Sequence, residues 1–293
     1  STKVIYPNMF NGTGIALGHQ NNLIFGLGSN FLQAFFDNAN TSGSVLTNVE
    51  QAAQQMGCAS TDSLFHEEGR MIWVGQAETG GYTVRTMEGS TGLSEISTPG
   101  INRILRGEGT SISSANGKFI RIGGHSFYIL KLAGQDRTLV YDFEAELWLE
   151  WTNTAGTGAF PLVDYTQHNN TLLGQHATDG RVYTLSEGTY QDNSVSFPVS
   201  GRFTRLDLDD QRRKFVRSAE LIGDIQSSTT NVSLQYSDDD YVTLSTARTM
   251  NMAERAIAKS FGNFKRRSWQ ISYTGANPLR LEALELQLRM GSY

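Results

Sequence analysis

His125-Ser126-Phe127-Tyr128-Ile129-Leu130, then Thr138-Leu139-Val140-Tyr141-Asp142, then Leu147-Trp148-Leu149-Glu150-Trp151 is the stretch that decides the fold. Apolar and polar residues alternate in the first two segments, the period of short strands. The set Ala133-Gly134-Gln135-Asp136 turns one into the other, and Phe143-Glu144-Ala145-Glu146 leads into an aromatic-rich third strand. Strand, turn, strand ending in Tyr-Asp, turn, strand carrying Trp is the layout of one β-propeller blade, a small antiparallel meander.

Comparable units recur on both sides. They open at Asn22-Leu23-Ile24-Phe25-Gly26-Leu27, Arg70-Met71-Ile72-Trp73-Val74-Gly75, Ser126-Phe127-Tyr128-Ile129-Leu130 and Asn170-Thr171-Leu172-Leu173-Gly174. Their starts are 48, 56 and 44 residues apart, within the range of blade repeats carrying some inserted loops. Each has a second strand: Phe31–Phe36, Tyr82–Thr86, Thr138–Asp142 and Arg181–Leu185. The turns between hold Gly28-Ser29, Gly80-Gly81, Gly134 and Asp179-Gly180, the residues hairpins favour. Four blades leave a ring incomplete, and the chain begins with Ser in strand-like sequence, Thr2–Tyr6, so missing N-terminal sequence is expected.

Composition agrees with many short strands. Of 293 residues 30 are Gly, and charged residues make up only 18%. No apolar run reaches the ~20 residues of a membrane-spanning helix. The single cysteine, Cys58, excludes an intrachain disulfide framework and a Cys-based zinc site, and its small neighbours predict a buried, inert thiol. Residues 1–190 carry 10 Lys and Arg against 17 Asp and Glu, and residues 191–293 carry 14 against 12. Neither part is basic enough for DNA binding to be its main business.

Three segments read as helical. Val49–Gln55 does so by propensity, and Pro99–Arg106 follows the cap Ser97-Thr98. For Asn251–Lys259 a mobile loop competes with a helix. From about residue 195 the strands lengthen: Val195–Phe203, Arg212–Arg217 with Ala219–Gly223, Asn231–Ser237, Ser268–Tyr273 and Leu279–Leu288. The last slips in its alternation near Ala283, as a bulge would cause. The predicted fold class is therefore all-β. β-Propeller-like blades fill residues 1–194, and a C-terminal β-sandwich-like module fills 195–293.

Chemistry is sparse. The five histidines, His19, His66, His125, His168 and His176, make no short metal spacing. His168 and His176 could lie on adjacent strands, yet turn or surface positions fit them better. No nucleophile elbow, P-loop or dinucleotide fingerprint is present, and Gly12-Thr13-Gly14 lacks the later glycine. Asp238-Asp239-Asp240 lacks the glycine and distal glutamate of a calcium loop. Ser237–Thr243 partly matches the Asp-box turn of sialidases, with Tyr241 in place of the glycine and Leu244 in place of the tryptophan. That motif indicates a hairpin rather than a hydrolase. The clusters Arg212-Arg213-Lys214 with Arg217, and Lys265-Arg266-Arg267, fit salt-bridged strand ends or a subunit interface better than phosphate contacts. No catalytic, cofactor-binding or metal-ligating residue is assigned, and no cofactor is expected.

In order along the chain, several segments resemble the packaged-DNA stabilisation (tail hub or nozzle) proteins of short-tailed, podovirus-type bacteriophages. They are Met56-Gly57-Cys58-Ala59, Met71–Gly75 with Gly81–Val84, Glu95–Ile101, the His125–Trp148 blade and Leu234–Asp239. The resemblance spans about residues 15–288. It implies a non-enzymatic virion protein of the tail, assembled in the host cytoplasm as a homo-hexameric ring below the portal and adaptor. Such a ring extends the DNA channel, helps retain the genome and docks fibres, spikes or a plug, with DNA passing unread. Loops around Asp37–Ser44 and Gly156–Phe160 are expected at subunit or partner contacts. The alternative is a kelch- or sialidase-like propeller that binds or hydrolyses glycans, with Arg70, Arg85, Arg103, Arg106 and Arg121 as its source of arginines. A third reading is an interaction platform unrelated to phage.

Overall fold

The computed structural model describes residues 12–39, 44–66, 69–78, 81–89 and 92–291. The predicted strand Thr2–Tyr6, residue 80 of the Gly80-Gly81 turn and residues 40–43 of the loop expected at a contact lie outside them. Two compact units emerge, one of residues 1–153 and 158–186, the other of residues 154–157 and 187–293. No helix among the described residues is long and apolar enough to cross a membrane.

The first unit is a series of antiparallel meanders. Sheet one comprises β1 (Gly14–Gln20), β2 (Leu23–Gly28), β3 (Leu32–Asp37) and β4 (Leu46–Gln54). Sheet two comprises β5 (Gly57–Cys58), β6 (Arg70–Gln76), β7 (Tyr82–Glu88) and β8 (Gly92–Glu95). Helix α1 (Pro99–Gly107) then precedes sheet three, β9 (Asn116–Ile122), β10 (His125–Leu132), β11 (Arg137–Asp142) and β12 (Leu147–Trp151). Sheet four has three strands, β13 (Leu162–His168), β14 (Thr171–His176) and β15 (Val182–Leu185). The paired segments read from sequence are the central hairpins of the first three sheets and the last hairpin of sheet four.

Alternation explains how the blades pack. On β6, Met71 and Trp73 join a core with Phe25, Leu27, Leu32 and Ala34 of sheet one. Their neighbours Ile72 and Val74 join Tyr128, Leu130 and Leu139 of sheet three. On β10, Ile129 turns the other way, to a cluster reaching Tyr165, Leu172 and Leu185 of sheet four. The middle blades are thus apolar on both faces, and area removed from water at roughly 25 cal/mol per Å² drives the stacking. Polar ties add direction: Tyr128 Oη donates to Ser63 O at 2.6 Å, and Trp148 Nε1 to Ile96 O at 2.7 Å. Gly117 lies so close to the Tyr128 hydroxyl and Ser63 O that any side chain there would overlap them.

Helix α1 begins as predicted, with Thr98 Oγ1 accepting from Ile101 N and Ile101 and Leu105 buried. The helix expected at Val49–Gln55 is instead β4. Its pairing with β3, reinforced by Gln33 Nε2 donating to Val49 O, outweighs the propensity of Glu, Gln and Ala. At 251–259 there is neither helix nor loop throughout. Asn251 Oδ1 accepts from Thr230 N and Ala253 N, fixing a turn that leads into a short strand.

The second unit has two sheets sharing one core. The first orders β16 (Pro198–Arg202), β22 (Ser268–Thr274), β18 (Asn231–Ser237) and β19 (Arg248–Asn251). In the second, β17 (Lys214–Gly223) pairs with β20 (Ile257–Lys259), β21 (Asn263–Phe264) and β23 (Leu281–Met290). Val216, Ala219 and Leu221 of β17 meet Val232, Leu234, Trp269 and Ile271 of the facing sheet. The bulge read near Ala283 is present: Ile222 pairs Ala283 and Gly223 pairs Leu281, leaving Glu282 extra.

Candidate functional site

In sheet three, His125 Nδ1 lies 2.8 Å from Asp142 Oδ2 at the end of the β10–β11 hairpin. Asp142 Oδ1 accepts from Glu144 N and Ala145 N, and Glu144 Oε2 accepts from Ser126 N at 2.6 Å. Although Asp142 is buried, the backbone N–H of Ala145 and the His125 ring hold its carboxyl below the usual range. His125, Asp142 and Glu144 offer ligand atoms within 4.8 Å of one another, the one such trio among the described residues. Each carboxylate already accepts hydrogen bonds that close the turn, so the cluster is explained as a hairpin clasp.

The other histidines separate into pairs. His19 and His66 approach to 3.3 Å between their Nδ1 atoms, with rings edge to face. His168 and His176 sit on adjacent strands but at opposite ends of the β13–β14 hairpin, where His168 faces Thr171 and His176 faces Leu162. His176 belongs to a turn, its Nδ1 3.0 Å from Asp179.

Of the arginines weighed for a glycan-binding mouth, Arg70 meets Glu88 at 3.2 Å and Arg85 meets Glu95 at 2.9 Å. Each pair is cross-strand within sheet two, and Arg70 also lies over the Phe143 ring. Cross-strand pairing of this kind steadies a sheet and leaves less charge for a ligand.

The turn Ser237–Thr243 is a fully bonded hairpin end. Asp239 accepts from Thr243 N and Oγ1 and from Ser237 Oγ, which hold its carboxyl down to about 2. Tyr241 N donates to Ser237 Oγ, and Tyr241 Oη donates to Phe203 O and Trp269 O. The preceding residue, Asp238, pairs with Arg267, which is only 2% exposed. Arg267 also donates to Phe261 O and lies over the rings of Tyr236 and Phe264. Lys214 is likewise buried, donating to the carbonyls of Asp210, Arg212 and Lys265. Two of the cations in the basic clusters are therefore internal struts, and Arg212 pairs with Asp210 at 2.6 Å. Sequence reasoning missed both burials. For Lys214 the signal was its parity with Val216 on the inward face of β17.

Cys58 is buried, its Sγ donating to Ser60 O, and burial pushes the thiol up to about 11. This agrees with an inert thiol.

The family model described as bacteriophage P22 Gp10, beta-propeller, matches residues 13–190. The chain belongs to this family. It is a phage structural protein, and the span shared with the Gp10 family takes in all four blade sheets and ends before β16. Among curated proteins none matches the chain. Solved structures similar to this Gp10-family chain are distant. One is the computationally designed Ika4 protein, at 13% identity and a TM-score of 0.35 over 64% of this chain and 98% of that one. Another is an exo-β-1,3-galactanase from Phanerochaete chrysosporium, at 9% and 0.28 over 94% and 68%. A third is the extracellular domain of a putative one-component system from B. thetaiotaomicron, at 7% and 0.32 over 94% and 44%.

Proposed function

We propose that this chain is a non-enzymatic subunit of the hub, or nozzle, of a short phage tail. Six copies form a ring below the portal and adaptor, extend the DNA channel, help retain packaged DNA and present surfaces to fibres, spikes or a plug. Its place is the virion tail, after assembly in the host cytoplasm. In this reading residues 1–194 are the propeller-like part and 195–293 the sandwich-like module, and the loops at Asp37–Ser44 and Gly156–Phe160 take part in contacts.

The observation that carries the proposal is the family match across all four blades. Physical chemistry supports it. Blades buried on both faces make a stiff scaffold, and a ring requires a heterologous interface that closes. Acidic net charge over residues 1–190 disfavours adhesion to passing DNA. The glycan-acting alternative needs converging charges, whereas Arg70 and Arg85, two of the five arginines it would draw on, are each taken up by a cross-strand glutamate.

Light scattering with negative-stain imaging, on the protein alone and with portal–adaptor complex, tests the reading. Six times the 32.3 kDa chain mass, or rings appearing on the portal complex, is expected. A monomer under every condition overturns it.

A further inference from the structure

The face of β17 and β23 that points away from the shared core carries an aromatic ring among cations. Phe215 is 43% exposed. Across it stand Arg289 of β23 and Asn263 of β21, and Asn263 Oδ1 accepts from Arg213 Nη1 at 2.9 Å. Arg217 is the extra residue of a bulge between Val216 and Ser218, and Lys259 stands opposite Ser218. Arg213, Arg217, Lys259 and Arg289 are all exposed. Among the described residues none of the four has a carboxylate at ion-pair distance, while Glu220 on the same sheet is taken by Arg255. Among the described residues, no carboxylate neutralises any of the four cations around this half-exposed ring.

The same chain carries a surface of opposite character. The first unit has 16 Asp and Glu against 10 Lys and Arg. At the edge of sheet three, Leu147 and Leu149 of β12 are 58% and 44% exposed, next to the exposed Glu144 and Glu146. We propose that the Phe215 face of one copy receives this β12 edge of a second copy, as the heterologous contact of the ring. Apolar groups then meet at the centre, and cations meet carboxylates at the rim, the usual anatomy of an interface. Pairing the Phe215 face with itself would set cations against cations, so an isologous dimer is disfavoured. The phosphate backbone of a DNA duplex would satisfy the cations and leave Phe215 with no partner, which favours protein over duplex DNA.

The proposal rests on the ring reading above, and one set of experiments separates them. Wild-type rings, alone or on portal–adaptor complex, test the ring. The variants R217E/R289E and F215S test the face, with circular dichroism and thermal melts checking that both fold. Both variants are expected to weaken ring formation at least tenfold. Wild-type rings should loosen as salt rises, and zero-length carbodiimide should join Lys259 to Glu144 or Glu146 of another copy. Folded variants that form rings like the wild type, or cross-links confined to other carboxylates, overturn the face assignment and leave the ring standing. Unchanged rings together with lost retention of a 20-base-pair DNA duplex reassign the patch as a phosphate track. Wild type that never forms a ring overturns both.

Discussion

Arg267 and Asp238 form a two-pronged ion pair, with Nε to Oδ1 at 2.7 Å and Nη2 to Oδ2 at 2.8 Å. The pair ties the residue just before β22 to the turn after β18, and the guanidinium lies 3.7 Å from the centre of the Tyr236 ring. A planar cation serves both contacts at once, which an ammonium group cannot do.

Arg267→Ala is expected to destabilise the second unit by about 3 kcal/mol, the low end for breaking a buried pair, because Asp238 remains half exposed. Arg267→Lys should recover only part of this. Urea unfolding followed by Trp269 fluorescence measures it, and an unshifted midpoint for the alanine variant would falsify the strut role.

Tyr128→Phe removes the donor to Ser63 O between sheets two and three. The carbonyl is then left without that bond, at a cost of about 1–2 kcal/mol. Gly117→Ala should cost more, since its methyl would displace the Tyr128 hydroxyl. Thermal melts that rank the two variants in the reverse order would refute this packing account.

The Asp239 carboxyl, held at about 2 by Thr243 and Ser237, sits below its unfolded value. Its contribution is therefore complete above about pH 4 and is lost as pH falls toward 2. Thr243→Val should raise the pH at which the second unit unfolds in acid. The difference from wild type should disappear once the pH is below the folded value. An acid titration in which the two proteins differ only below pH 2 would contradict the sign.

Cys58 is expected to resist alkylation at pH 8 in the folded protein, because burial raises its thiol to about 11 and the site is closed to solvent. Labelling should speed up only in denaturant, in step with unfolding. Rapid stoichiometric labelling of native protein would show an open site.

One hairpin of each of the four blades was legible, since β2–β3, β6–β7, β10–β11 and β14–β15 alternate or run apolar between glycine turns. Strand β9 escaped notice because Asn116-Gly117-Lys118 opens it without apolar residues and its order comes from pairing with β10. Strand β4 was misread because its residues favour a helix and only its neighbour β3 makes it a strand. In the second unit, Lys214 and Arg267 read as surface charge, because the carbonyls and rings that satisfy them come from segments far away in sequence. The Phe215 face was not legible either. It exists only once β17, β20, β21 and β23 lie side by side.

The two-sided burial of β6 changes what guards against a slipped strand. In a sheet with one wet face, a shift by one residue sends apolar side chains into water, and that penalty fixes the alignment. Here a shift would only exchange Met71 and Trp73 for Ile72 and Val74 between two apolar layers. Hydrophobicity is nearly blind to that error. Alignment is instead enforced by shape and by directional bonds: the indole, whose Nε1 donates to Gly57 O at 3.1 Å, and the Phe65–Ile72 bridge. Proofreading of the central blades therefore falls to a few polar atoms within an otherwise oily stack.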